Sequence, residues 1–243
     1  MRVLALETST EFCSVALWQD GAVESRCELA GQKHSEMLMG MLDALLRGAG
    51  VKLAQLDGIA FGKGPGSFTG VRIACGAAQG LALGANLPVA GICTLEALAE
   101  AAGYPRVIAA LDARMGEIYH AAYEKHGAHW VAVSEPRLCT PYDAPKVGNL
   151  LFAKANAELT PPELPGQGWF GAGSGFAAHG MRLVERYGEQ LSEMDGAAVP
   201  QAAAIAALGA ARLAQGLGVD AAHALPLYLR DKVALTTSER AAL

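Results

Sequence analysis

The sequence predicts an α/β protein made of two similar subdomains, each of which opens with three antiparallel strands. In the first half, an apolar strand ending at Glu7 is followed by a second strand and a hairpin turn at Gly21. The second half repeats this series with Asp112 and Gly127, which follow their counterparts by 105 and 106 residues. A series of elements that recurs at a nearly constant offset indicates a duplicated unit. We therefore expect two copies of one α/β fold.

The limits of the subdomains follow from where the second series begins. With Tyr104-Pro105 as that start, the first subdomain covers residues 1–103 and the second covers residues 104–199. We expect the C-terminal segment, about residues 200–243, to pack back on the first subdomain. Of the 243 residues, 52% are hydrophobic and 18% are charged, and this composition is typical of a globular protein with a sizeable core.

The first 50 residues contain three predicted strands and a helix. Short apolar runs predict the strands, and Asp20-Gly21 forms a hairpin turn between the second and the third. The strands are Val3–Leu6, Ser14–Trp18 and Ala22–Leu29. A helix is predicted from Lys33 to Arg47, and apolar residues cover most of its circumference, which is typical of a helix buried on more than one side.

A glycine-rich loop, Gly62–Gly70, joins a predicted strand, Leu56–Phe61, to a helix predicted over Val71–Ala85. The helix start can be capped by Ser67 or Thr69, and free N–H groups there attract anions. The loop is not a Walker A loop, because three residues rather than four separate its last two glycines and Val-Arg follows them. The G-x-G-x-x-G spacing of dinucleotide sites is also missing. A tight capped turn is the simpler alternative to an anion site.

The helix after this loop carries two stripes of small residues. Gly76, Gly80 and Gly84 recur every four residues, so they share one face, and Gly70 and three alanines form the adjacent face. A glycine inside a helix costs about 1 kcal/mol relative to alanine, so close approach of another backbone is the expected compensation. Tight packing inside the domain and an interface with a second protein are both open. The predicted partner surface comprises Met37, Met41, Leu45, Gly76, Gly80 and Gly84.

The first half closes with a strand predicted over Leu87–Ile92 and a helix over Leu95–Ala102, for which Thr94 is the predicted cap. The second half contains matching elements and one irregular stretch. The stretch Pro136–Pro165 is proline-rich and is expected to be irregular. A strand then ends in the glycine turn Gly168–Gly175. Two further helices are predicted over Phe176–Tyr187 and Ala202–Gln215.

Composition excludes several classes of protein. The net charge of −5 disfavours a protein that binds nucleic acid by itself, since such a protein needs a basic face. The five cysteines are scattered without C-x-x-C spacing, which favours reduced core thiols over disulfides or zinc. The chain enters its first strand at once, without a signal peptide, so a cytoplasmic location and no membrane contact are predicted.

A cleft between the subdomains is the natural place for nucleotide phosphates. Glu7, Thr8 and Ser9 end the first strand, where a carboxylate could position Mg²⁺ through water. In the second half Asp112 occupies the matching turn, and Gly173 could approach a phosphate. The simpler alternative is that these residues only form turns, because Ser, Thr and Asp are common in turns that bind no ligand.

A metal site and a serine nucleophile are not supported by the sequence. His126 and His129 lie on a hairpin, and no further ligand completes a metal shell around them. No G-x-S-x-G nucleophile elbow occurs in the chain. We therefore predict no metal and no catalytic residue.

Several motifs together resemble the TsaB (YeaZ) family over nearly the whole chain, most densely in residues 1–120. The motif Gly64-Pro-Gly-Ser-Phe-Thr-Gly-Val-Arg72 is the most specific of them. The others are Leu4–Thr10 with Ser14–Leu17, His34-Ser35-Glu36, Leu111–Arg114 with Glu117-Ile118-Tyr119, and Pro226–Arg230. The resemblance implies the actin-like and sugar-kinase-like (ASKHA, RNase H-like) fold, which agrees with the duplication.

The resemblance also implies a helper rather than a catalyst. TsaB-like proteins serve the synthesis of threonylcarbamoyladenosine in tRNA, where the related TsaD transfers the threonylcarbamoyl group and carries a His-x-x-x-His metal pair. This chain has no such pair, because Leu38 follows His34 at that spacing. The partners implied are a TsaD-like subunit, a TsaE-like ATPase and a second copy of the chain, with tRNA contacted only through the complex.

Two alternatives remain at the level of sequence. The first is an autonomous ATP-dependent kinase or ATPase of the same fold, which would need a catalytic aspartate and complete phosphate loops. The second is an O-sialoglycoprotein endopeptidase, which would need a metal. No cofactor is predicted, and any binding of ATP or ADP is expected to be weak.

Overall fold

The computed structural model describes residues 1–141, 164 and 166–230, and within them two five-stranded sheets are flanked by helices. The first sheet has the strand order β3-β2-β1-β4-β5 and the second has the order β10-β9-β6-β7-β8. The first sheet comprises β1 (Arg2–Glu7), β2 (Phe12–Gln19), β3 (Ala22–Leu29), β4 (Gly58–Gly64) and β5 (Val89–Cys93). The second comprises β6 (Arg106–Arg114), β7 (Glu117–His126), β8 (His129–Cys139), β9 (Trp169–Ala172) and β10 (Leu191–Asp195).

The two sheets repeat one topology, which confirms the predicted duplication. In each, the first three strands form an antiparallel meander, and the fourth and fifth strands pair in parallel on the other side of the first. Both central strands, β1 and β6, are buried along most of their length. Apolar runs of this kind are expected for strands that are covered on both faces.

Five helices connect and cover the sheets in the described part of the chain. They are α1 (His34–Gly48), α2 (Phe68–Ala85), α3 (Thr94–Ala102), α4 (Ser174–Tyr187) and α5 (Ala202–Ala214). The duplication pairs α2 with α4, since each joins the fourth strand of its sheet to the fifth, and it pairs α3 with α5. Within the same residues, no helix combines the length and the hydrophobicity needed to cross a membrane.

The last helix of each repeat packs on the sheet of the other repeat. Helix α3 contributes Leu95 and Leu98 to the core of the second sheet, and α5 places Ile205 in a core with β1 and β4 of the first sheet. An ion pair between Arg212 of α5 and Glu96 of α3, with a separation of 2.6 Å, connects the two helices. The subdomains are therefore joined by an exchange of helices.

The opposite face of the first sheet is covered by α1 and α2. Residues Leu38, Met41 and Leu45 of α1 are buried there against Ala74 and Ala78 of α2. The prediction that Met41 and Leu45 belong to a partner surface is wrong, because these side chains are only 7% and 0% exposed in the chain alone. They fill the core between helix and sheet.

Some predicted boundaries also need correction. Strand β4 continues to Gly64, so Gly62-Lys63-Gly64 belong to the sheet rather than to the loop. Thr94 is the first residue of α3 instead of its cap, and its hydroxyl donates to the Pro65 carbonyl. Residues 136–139 lie in β8, residues 140, 141 and 164 lie outside any strand or helix, and the rest of the proline-rich stretch falls outside the described residues. Cys27 is exposed on β3, whereas the other four cysteines are buried as predicted.

Candidate functional site

A cleft of about 1260 Å³ lies between the subdomains. Its walls come from the turn after β1, the starts of α1, α2 and α4, the end of β6 with the turn that follows it, and a C-terminal segment. Residues from each of these parts are Ser9, His34, Ser67, Asp112, Ser174 and Tyr228. The starts of three helices at one cleft place free N–H groups near it.

The glycine-rich loop packs tightly against the turn that ends β1. A Cβ atom at Gly70 would lie 1.9 Å from the Thr8 carbonyl oxygen, and one at Gly66 would lie 2.6 Å from the Ser9 carbonyl oxygen. The Thr8 hydroxyl donates to the Gly70 carbonyl at 2.7 Å, and the Ser67 N–H donates to the Ser9 carbonyl at 2.7 Å. The glycines are thus required by the contact between loop and turn. Ser67, one of the two predicted caps, accepts from the Gly70 N–H.

The second subdomain repeats this contact. A Cβ atom at Gly173 would lie 2.4 Å from the Ala110 carbonyl oxygen of β6, and Gly173 has a φ of +105°, which few other residues adopt. Next to it, the Ser174 hydroxyl accepts from the Asp112 N–H at 3.0 Å. Both glycine turns therefore hold the end of the first strand of their own sheet.

The five residues predicted to bind a nucleotide are not brought together. Of them, Ser9 and Asp112 line the cleft, whereas Glu7, Thr8 and Gly173 do not. Glu7 and Thr8 are 1% and 0% exposed, and the Thr8 hydroxyl is already bonded to the loop. The site predicted from the sequence is thus divided between the cleft wall and the interior.

The Glu7 side chain is buried beside strand β4 and does not line the cleft. Its carboxylate is so close to β4 that a Cβ atom at Gly62 would meet Oε2 at 1.6 Å, and Oε1 accepts from the Ser9 N–H. Burial raises the pKa of the Glu7 carboxyl to about 7, and the hydrogen bonds from Ser9 and Thr8 only partly offset that rise. Oε2 has no hydrogen-bond partner in the part of the chain that the structure describes.

The Asp112 carboxylate is already bonded to a neighbouring residue, Arg114. It accepts from the Arg114 N–H at 2.9 Å and pairs with the Arg114 guanidinium at 3.0 Å. His179 Nε2 lies 3.8 Å from the same carboxylate. Among the described residues, no three His, Cys, Asp or Glu side chains cluster closely enough to hold a metal ion.

An aromatic and cationic cluster on the cleft wall was not found from the sequence. The Arg72 guanidinium carbon lies 3.2 Å from the centre of the Phe68 ring and 4.7 Å from that of Tyr228. The two rings are half exposed, at 53% and 46%. The sequence shows aromatic residues in the loop and in Pro226–Arg230, but these segments are distant along the chain. Their contact could therefore not be predicted from the sequence.

The glycine stripe of α2 faces outward. A Cβ atom added at Gly76, Gly80 or Gly84 would have no neighbour within 4 Å, whereas Ala74 and Ala78 of the adjacent stripe are completely buried. The alanine stripe therefore serves packing within the domain, and the glycine stripe does not. Within residues 1–141, 164 and 166–230, no side chain covers this helix face.

Exposed apolar side chains also lie on α2 and on the neighbouring helix α1. On α2 itself, Leu83 is 78% exposed, and on α1 Met39 is 50% exposed. Met37, which was predicted to belong to the partner surface, is half-buried and packs against the edge of the core. We call the outward sides of α1 and α2, with Met37, Met39, Gly76, Gly80, Leu83 and Gly84, the glycine face.

Comparisons with known sequences point to one group of proteins. The family model described as "TsaD: tRNA N6-adenosine threonylcarbamoyltransferase" matches residues 26–237. The chain is 38% identical to the tRNA threonylcarbamoyladenosine biosynthesis protein TsaB of Escherichia coli strain K12, with 96% of each chain covered. It is 34% identical to the protein of the same name from Haemophilus influenzae, over 96% of this chain and 95% of the relative.

Solved structures show the same relationship. YeaZ from Pseudomonas aeruginosa is 38% identical and superimposes with a TM-score of 0.80, covering 94% of this chain and 99% of its own. A second Pseudomonas aeruginosa structure, described as an uncharacterized protein with similarity to peptidase YEAZ, gives the same values. The similarity in structure therefore extends along nearly the entire chain.

Proposed function

The chain belongs to the TsaB (YeaZ) family, and on that premise we propose that it is an accessory subunit in the synthesis of threonylcarbamoyladenosine in tRNA. Its relatives from Escherichia coli and Haemophilus influenzae are named as biosynthesis proteins for this nucleoside. In this proposal the chain performs no chemistry. It binds and supports a TsaD-type catalytic subunit, which transfers the threonylcarbamoyl group to the adenosine next to the anticodon.

The observation that carries the proposal is the glycine face. Three glycines inside one helix cost about 3 kcal/mol relative to alanines, and none of the residues that the structure describes uses the space that they leave. A face of small residues allows the backbone of another helix to approach closely, and exposed apolar residues beside it add area to bury. We infer that a helix of the partner packs along Gly76, Gly80 and Gly84.

The wider assembly follows from the same surface. A TsaD-type subunit would carry the same duplicated fold, so its own helices can pack here, and a second copy of this chain would compete for the face. A TsaE-type ATPase would join the complex of the two subunits. Because the chain has a net charge of −5, we propose that tRNA is bound through the complex rather than by this chain alone.

The alternative function is an autonomous kinase or ATPase of the same fold. The cleft and the three helix starts beside it are the observations that favour this alternative. Against it, the Thr8 hydroxyl and both glycine turns are already engaged within the chain. Calorimetric titration with ATP and Mg²⁺ separates the two: a dissociation constant of about 1 μM, near −8 kcal/mol, would support the enzyme.

The accessory role is tested with Gly80→Leu. We expect this variant to bind a TsaD-type subunit about tenfold to a hundredfold more weakly, because overpacking at a close interface costs about 1–3 kcal/mol. Gly180→Leu is the matched control, since Gly180 lies in α4, the counterpart of α2. Among the described residues, a new Cβ there meets only Met194, at 3.8 Å. A folded Gly80→Leu protein with unchanged affinity would contradict the proposed surface.

A further inference from the structure

A seven-residue segment, 224–230, crosses from the first subdomain to the second along one wall of the cleft. It begins on α2, where the Ala224 carbonyl accepts from the Cys75 thiol at 3.2 Å and from the Gln79 amide at 2.9 Å. It then passes the end of β4, where the Leu227 N–H donates to the Lys63 carbonyl at 2.6 Å. Three contacts therefore fix its first half to the first subdomain.

The approach to β4 is close. A Cβ atom at Gly64 would lie 2.8 Å from the Leu227 carbonyl oxygen, and Gly64 also has a φ of +102°. Both features favour glycine at that position. Beyond this point the Tyr228 ring packs beside Phe68, at a centroid distance of 6.0 Å.

The far end is anchored on the second subdomain by an arginine. The Arg230 guanidinium lies 2.7 Å from the Glu117 carboxylate at the start of β7 and donates to the Ala113 carbonyl near the end of β6 at 2.9 Å. The two charged side chains are only 13% and 15% exposed. An ion pair shielded in this way is more sensitive to the loss of one partner than a surface pair such as Arg47–Asp43, which is 79% and 60% exposed.

The position of the segment complements that of the exchanged helices. Helices α3 and α5 join the subdomains on one face of the first sheet, whereas the segment starts from α2 on the opposite face. Two connections on opposite faces restrain the angle between the subdomains. If one of them were released, the other could act as a hinge.

We propose that residues 224–230 form a strap that sets the opening of the interdomain cleft, with the Arg230–Glu117 pair as its clasp. The strap lies in the cleft wall, so its release widens the cleft and uncovers Ala113 and Glu117, which are 9% and 15% exposed. This device operates within the single chain. It therefore holds whether or not the proposed partner binds at the glycine face.

Hydrogen exchange and a distance measurement on the full chain test the strap. In Arg230→Gln we expect the Leu227 amide and the Ala113–Glu117 turn to exchange at least about tenfold faster, because local opening governs exchange. Arg47→Gln is the matched control, since it removes an ion pair that lies within one helix. It should leave both regions unchanged.

The distance is measured between spin labels on the two subdomains. Cys27 is exposed and the other four cysteines are buried, so it takes one label, and Glu189→Cys on the second subdomain takes the other. We expect Arg230→Gln to broaden and lengthen the distribution. The reversed pair, Glu117→Arg with Arg230→Glu, should restore it.

Two outcomes would overturn the strap. One is a folded Arg230→Gln protein with unchanged Leu227 exchange. The other is a distance distribution that superimposes on that of the unsubstituted protein. If Arg230→Gln fails to fold, the same two measurements on the milder Glu117→Gln variant test the strap, with the same expected and contradicting results.

Discussion

At the scale of single residues, Glu7 has a carboxyl group that the fold buries without full pairing. Its pKa rises from 4.5 to about 7 because burial disfavours the charged form. A group whose pKa is higher in the folded state stabilises the fold at low pH and loses that contribution as the pH rises. The window for Glu7 therefore runs from about pH 4.5 to about pH 7.

We predict that Glu7→Gln stabilises the protein at high pH. A shift of this size corresponds to about 3 kcal/mol, so the variant should unfold at higher urea concentration at pH 8.5 and at nearly the same concentration at pH 4. Urea melts at the two pH values measure the difference. A variant that is destabilised equally at both would show that the carboxylate has a stabilising partner.

His120 behaves in the opposite sense. It is completely buried on β7, its Nε2 lies 2.6 Å from the Tyr187 hydroxyl, and burial lowers its pKa from 6.5 to about 3. The unfolded chain therefore takes up a proton below about pH 6.5 while the folded chain does not. The stability contributed by the neutral ring is complete above that pH and falls as the solution is acidified.

The prediction is that the double variant His120→Phe with Tyr187→Phe loses this pH dependence. Between pH 6 and pH 4, the unsubstituted protein should lose about 1 kcal/mol per pH unit more than the variant does. Both polar groups are removed together so that neither is left without its partner. Parallel slopes of unfolding free energy against pH would refute the assignment.

At the scale of elements, α2 carries two stripes of small residues that have different roles. The alanine stripe lets the helix approach the sheet, and the glycine stripe leaves the outer side bare. The sequence revealed both stripes but not which of them faced outward. Apolar residues surround the helix on nearly all sides, so its hydrophobic pattern does not select a face.

A pair of substitutions tests this assignment in the isolated chain. We expect Gly80→Ala to raise the free energy of unfolding by about 1 kcal/mol, since the helix gains propensity and the new methyl group meets nothing. Ala78→Leu, on the completely buried stripe, should lower it by about 1–3 kcal/mol through overpacking. Thermal melts of both variants measure the changes. If Gly80→Ala lowered the free energy of unfolding and Ala78→Leu raised it, the glycine stripe would be the buried one, which would contradict the assignment.

Most secondary-structure elements could be predicted from the sequence, whereas the way they pack together could not. Nine of the ten described strands and the positions of the five described helices are predicted by apolar runs, turn glycines and the repeat, whereas no strand is predicted at β10. Most of β10 is exposed, so it has no apolar run to identify it. Burial of Met41 and exposure of Gly80 depend on how a helix is rotated against a distant sheet. The cluster of Phe68, Arg72 and Tyr228 likewise depends on the return of the chain after some 150 residues.

At the scale of the whole molecule, the exchange of helices makes the two subdomains interdependent. The face of the first sheet that contains Val3 and Ala5 is covered by Ile205 of α5, which belongs to the second repeat. A chain cut after residue 103 would expose that face to water. Each repeat therefore lacks part of its core when it is alone.

We predict that a fragment of residues 1–103 does not fold cooperatively. It would keep helix α3, whose partner sheet is missing, and would lose α5, which covers its own sheet. Circular dichroism during a urea titration measures cooperativity, and addition of a second fragment, residues 104–243, should restore it. A sharp two-state transition of the first fragment alone would show that the subdomains are independent.

We propose that the glycine face of α2 receives a TsaD-type partner. Hydrogen exchange of the full-length chain, with and without a TsaD-type subunit, tests it most directly, because amides buried at an interface exchange more slowly. We expect added protection across Gly76–Gly84 and on the outer side of α1, with α4 unchanged. Protection confined to the second subdomain, with α2 exchanging as in the free chain, would contradict it.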